Sequence, residues 1–70
     1  MAYFPYHAVA RRLIAEGKLI GYRIVPKYHG IAPALLLFFE DTRHPVMPIR
    51  AHRFGEYFPL IKNAPRLDEP

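Results

Sequence analysis

The chain has no cysteine. That excludes a disulfide staple, a thiolate zinc site and a thiol nucleophile. Serine is absent too, and Thr42 is the one threonine. No glycine-rich loop is present to cradle a phosphate. Carboxylates are sparse: Glu16, Glu40, Asp41 and Glu56 stand apart, except for the adjacent pair in "EDTRHP". His44 near Asp41 could serve acid–base chemistry, but an ordinary turn contact explains the pair equally well. The histidines, His7, His29, His44 and His52, are scattered, with neither HxxxH nor HExxH spacing. The Asp-rich pattern of a calcium loop is missing. The expectation is a protein without metal, cofactor or catalytic residue set, and not an enzyme.

Long apolar runs are missing as well. A membrane-spanning helix needs about 18 or more apolar residues in a row, and no stretch approaches that. After Met1, "AYFPYHAVARR" lacks the charge that precedes the apolar core of a secretory signal. The expected location is cytoplasmic, off the membrane, and the lack of cysteine fits a reducing compartment.

Apolar side chains and positive charge are what is there. The chain has 70 residues, enough for one domain. A domain this small buries only ~60% of the surface its unfolded chain exposes. With 51% hydrophobic and 14% aromatic residues it has the material for an efficient core. Self-association is one way for a small chain without staples to complete such a core. The net charge is +4 and the pI about 9.8. Asp68 and Glu69 outweigh Arg66 at the C-terminus, so the body is more basic than the whole. A basic body favours an anionic partner, either nucleic acid or an acidic protein.

Periodicity sets the order of elements. Tyr6, Val9, Ala10, Leu13 and Ile14 form one helical stripe over residues 5–16. Pro5 suits the first helical position, and Gly17 suits the left-handed residue just past the end. Arg11 and Arg12 fall on opposite flanks of that stripe, with His7 one turn before Arg11. From Lys18 the period becomes two. Ile20, Tyr22 and Ile24 face one way, and Leu19, Gly21, Arg23 and Val25 the other. Pro26 is expected to end regular pairing, and "KYHGIAP" to turn the chain around Gly30. "ALLLFFE" is apolar on both faces and reads as a central strand covered on both sides. "VMPIR" reads as an edge strand, because Pro48 would cost a central strand a ladder bond. Phe54, Tyr57, Phe58 and Ile61 then recur at helical spacing. A short helix over 51–58 is expected, ended or kinked by Pro59.

The fold class is therefore α+β. Residues 1–63 form a single small domain in α-β-β-β-α order, a three-stranded antiparallel meander packed with two helices. Residues 64–70 are expected to be a tail without regular structure. This order resembles that of the double-stranded-RNA-binding domain. The resemblance would put RNA contacts on the His7/Arg11 flank, on His29 in "YHGIAP", and on Arg50 with Arg53. It extends to element order alone: the lysine-rich motif and long alanine-rich last helix of that family are absent, and "FGEYFPLI" is short and aromatic.

Two candidate surfaces follow. Arg50, His52 and Arg53 cluster where the third strand becomes the last helix, a place that suits an anion. With His29, Arg11 and Arg12 they make a candidate polyanion surface; ion pairs to Glu56, Glu16 or Glu40 are the ordinary alternative. The second surface is apolar. If both helices pack on one sheet face, Leu36 and Phe38 are left on the other, near Leu19 or Val25. One helix on each face would remove that patch. The leading expectation is a non-enzymatic binding domain for nucleic acid or an acidic protein. The alternative is a protein-interaction or homodimerisation module using the apolar face.

Overall fold

The first helix, α1, spans Tyr6–Ala15. The computed structural model, which describes residues 5–67, shows how both its ends are made. Pro5 is the N-cap rather than the first helical residue, and its carbonyl accepts the Val9 N–H at 2.9 Å. At the other end Gly17 N–H donates to Ile14 and Lys18 N–H to Leu13. That double bond pattern, with Gly17 at φ 77°, is a Schellman stop. Three antiparallel strands follow in the order β1-β2-β3: β1 Leu19–Tyr28, β2 Ala32–Phe39 and β3 Val46–Arg50. A 3₁₀ turn, Ala51–Arg53, leads into the last helix, α2, Phe54–Ile61. The chain is thus a small α+β domain in the α-β-β-β-α order read from its periodicity.

Both helices pack on one face of the sheet. Ala10 and Leu13 of α1 and Tyr57 and Ile61 of α2 share a buried cluster with Leu35, Leu37, Phe39, Met47 and Ile49. The pairings Leu35 with Ile24 and Ile49, and Leu37 with Tyr22 and Met47, set these residues on the helix side. β2 is central, but it is covered by helices on one side only. Leu36, opposite Arg23 and Pro48, and Phe38, opposite Gly21 and Val46, face away from the helices and are half-buried.

Several local readings need correction. Leu19 pairs with Phe39 and Gly21 with Phe38, so Ile20 is one residue too many. This bulge moves Leu19 onto the helix face, where it packs against the core, and leaves Ile20 46% exposed. The expected assignment of Ile20 inward and Leu19 outward is therefore reversed by a single inserted residue. Pro26 does not end β1. A second irregularity lies between Val25 and Tyr28, and there the missing donor costs no ladder bond. Pro59 does not end α2 at residue 58 either. Tyr57 and Ile61, buried on either side of it, anchor the helix. Gly55, whose carbonyl loses the Pro59 N–H, is exposed to water. Phe58 leaves the stripe and is 43% exposed.

The expected tail from 64 to 70 is ordered in part. Ala64 packs on the core, and Arg66 pairs with Tyr22 in parallel along the free edge of β1. Tyr22 N–H donates to Pro65 at 3.1 Å, and Leu67 N–H donates to Tyr22 at 2.7 Å. Residues 68–70 lie outside the described residues. No helix among the described residues is long and apolar enough to cross a membrane.

Candidate anion-binding cleft

Pro48 is the starting point. Phe39 N–H donates to Pro45, so along β3 the odd residues 45, 47 and 49 turn their backbone toward β2. Residues 46, 48 and 50 turn theirs outward. Pro48 thus sits where its missing N–H breaks no pairing, on the edge strand its sequence suggests. Its outward carbonyl accepts the Tyr6 hydroxyl at 2.9 Å. That bond pins the first turn of α1 against the edge of β3. One residue on, His7 Nδ1 lies 2.7 Å from the Tyr57 hydroxyl, which pins the same turn to α2. The three elements enclose a cleft of about 340 Å³, lined by Tyr6, His7, Pro48, Arg50, His52 and Arg53.

The wall is cationic. Arg50 is exposed and, among the described residues, its guanidinium has neither an ion pair nor a hydrogen bond. Arg53 contacts both oxygens of Glu56, at 3.0 and 3.3 Å, and Arg11 reaches the same carboxylate at 3.9 Å. Such exposed pairs are worth ~0–1 kcal/mol, so Glu56 yields readily to a competing anion. The field shows in His7. Its pKa is lowered from 6.5 first by burial and then by Arg53, with Arg11 and His52 adding to the effect and Glu56 opposing it. A neutral ring suits its bond to Tyr57, whose hydroxyl can donate to Nδ1. Burial pushes the Tyr6 hydroxyl up to about 12 and raises that of Tyr57, so both stay protonated donors.

Of the residues singled out from the sequence, Arg50 and Arg53 come together here. His29 does not join them directly. It lines a neighbouring cleft of about 320 Å³ at the β1–β2 turn, and the two clefts share Pro48 and Arg50. Arg11 stands behind Glu56, outside the lining. Arg12 lies on the other flank of α1, paired with Glu16 at 3.7 Å. His52, beside Arg50 and Arg53 in the sequence, joins them in the lining, whereas sequence reasoning placed His7 only on the Arg11 flank of α1 and gave Tyr6 no part in a site. Adjacency in the chain could not join Tyr6 and His7 to them, because their partners lie 42 and 50 residues on.

On the other sheet face Leu36, Phe38 and Val25 are half-buried and Val46 is 44% exposed. Leu19 is not among them. Among the described residues no group of three or more metal-ligating side chains comes together. The β2–β3 turn is held by Lys18 Nζ donating to the Asp41 carbonyl and by His44 N–H donating to Thr42 Oγ1, each at 3.3 Å. Comparison with known proteins finds no family model, curated protein or solved structure that matches the chain.

Proposed function

We propose that this chain is a small non-enzymatic binding domain that holds a polyanion, nucleic acid foremost, in the cleft between α1, the edge of β3 and the start of α2. One observation carries the reading: Arg50 is an exposed cation with no anionic partner among the described residues, set beside Arg53, His52 and His7. The depressed pKa of His7 supports it, since neighbouring positive charge contributes to that shift. Phosphate contacts of this kind fix position rather than sequence. An acidic protein segment is the other ligand such a cleft would suit. The cysteine-free composition supports a reducing, cytoplasmic setting.

The test is fluorescence anisotropy with single-stranded DNA, duplex DNA and duplex RNA at low and physiological salt. Affinity should fall steeply with salt through counterion release. Arg50→Ala should weaken binding to every polymer alike and lower the salt slope by about 1. No binding to any of the three at low salt would remove the nucleic-acid reading.

A second reading has its own observation. With both helices on one face, Leu36, Phe38, Val25 and Val46 leave an apolar patch on the other. Such a patch suits a protein contact or self-association. Phe38→Asp should abolish any dimer seen by sedimentation while sparing salt-sensitive polyanion binding. A monomeric mass at high concentration removes this reading.

A further inference from the structure

The two clefts are adjacent and chemically unlike. One is lined by His7, Arg50, His52 and Arg53. The other, across Arg50 and Pro48, is lined by Tyr28, His29, Ile31 and Pro33 among others. Its volume of about 320 Å³ lies at the small end of ligand pockets, which run ~300–1,000 Å³. Its aromatic wall is organised: the Tyr28 and His29 ring centroids are 4.2 Å apart. The turn fixes that wall. His29 and Gly30 have φ 56° and 73°, and Ile31 N–H closes on the Tyr28 carbonyl at 3.2 Å, a type I′ turn. Ile31 is held out at its tip, 83% exposed.

We propose that this second cleft receives an unpaired nucleobase, so that the polyanion preferred by the chain is single-stranded nucleic acid. The inference rests on the polyanion reading of the first cleft and names its ligand class. Arg50 belongs to both clefts, so a phosphate on its guanidinium leaves the attached base beside Tyr28, His29 and the apolar side chains. Aromatic side chains beside a basic groove are how single strands are held, the base stacking while the backbone follows the cations. A base inside a duplex is stacked on both faces and paired along its edge, so it cannot enter. β1, β2 and β3 contain Arg23, Lys27 and Arg50 and no carboxylate, which suits an occupant that carries phosphate.

The experiment compares an oligo(dT) strand, an abasic strand of the same length and a duplex, by anisotropy at low salt with the full chain. The dT strand should bind about tenfold tighter than the abasic strand, the size of one stacked base. Tyr28→Leu should erase most of that advantage, and Tyr28→Phe should keep it. Ile31→Ala, at a position too exposed to disturb the core, should reduce it without changing the thermal melt. Equal affinity for dT and abasic strands, or tighter binding to duplex, overturns the base site and leaves the polyanion reading standing. No binding of any of the three overturns both.

Discussion

Replacing Gly21 with alanine tests how the C-terminal segment is held. A Cβ at Gly21 would lie 2.7 Å from the Pro65 carbonyl oxygen and 2.7 and 2.8 Å from the Leu67 side chain. Leu67 could rotate away, but Pro65 presents backbone, which moves only if residues 65–67 lift off together. Lifting breaks the two bonds to Tyr22. At ~0.5–1.5 kcal/mol for each bond, the loss is about 1–3 kcal/mol. Gly21 is outside the left-handed region, so alanine can adopt its backbone. It recovers ~0.4–1 kcal/mol by restricting the unfolded chain. The net expectation is a destabilisation of about 1–2 kcal/mol, or a melting point lower by ~4–8 °C per kcal/mol in a domain of this size. Urea and thermal melts followed by circular dichroism measure it. The control is the same substitution in a chain lacking residues 65–70, where nothing opposes the new methyl and only the entropic gain remains. An equal loss of stability in the full and shortened chains would refute the reasoning, because the cost would then lie in the strand and not in the docked segment.

His7 makes stability pH-dependent. Its folded pKa is below the 6.5 of the unfolded chain, so the unfolded state binds more protons in between. Stability should be full above 6.5 and fall as the pH drops through the lower folded value; His7→Gln should flatten that slope in urea melts at a series of pH values. Tyr57→Phe removes the buried hydroxyl that meets His7 Nδ1 and should cost about 1 kcal/mol, with the pH slope altered as well. Because Glu56 occupies Arg53 and competes with ligand, Glu56→Gln should raise polyanion affinity by up to about fivefold in the anisotropy assay. His29→Asn should leave the melting point unchanged or higher, since asparagine accepts positive φ readily, whereas His29→Val should lower stability by ~1–2 kcal/mol.

The order of elements was legible because the hydrophobic period changes from 3.6 to 2 at Lys18 and back after Arg50. Edge placement of β3 was legible from Pro48 alone. Register was not, because a bulge at Ile20 costs one residue and leaves no mark in composition, yet it exchanges the faces of Leu19 and Ile20. Nor could the pattern say on which face the helices lie. "ALLLFFE" is apolar on both sides, and its two faces differ only in what the rest of the chain brings to them. Pro59 misled for a similar reason. Its local cost is real, but Tyr57 and Ile61 gain burial from a continuous helix, and that tertiary gain outweighs one lost bond. Half of the cleft was legible, Arg50 and Arg53 being close in sequence. The other half comes from α1, through contacts that only the folded chain makes.

The distribution of the few carboxylates gives the cleft its sign. Among the described residues Glu16 is engaged by Arg12 and Lys18, and Glu56 by Arg53 and Arg11. Glu40 and Asp41 stand in the β2–β3 turn, at the end of β3 opposite Arg50. At ~3.3 Å per residue the strand Val46–Arg50 alone separates them by well over ~10 Å. That exceeds the ~8 Å screening length at physiological ionic strength, so the turn acids do little to offset Arg50. The sheet itself has no acid on any strand. Arg50 thereby keeps an uncompensated positive charge where α1 meets the edge of β3. On the face that Leu36 and Phe38 share, Arg23 stands opposite Leu36 and Arg50 opposite Ala34, so a carboxylate on whatever covers them would meet a cation at the border.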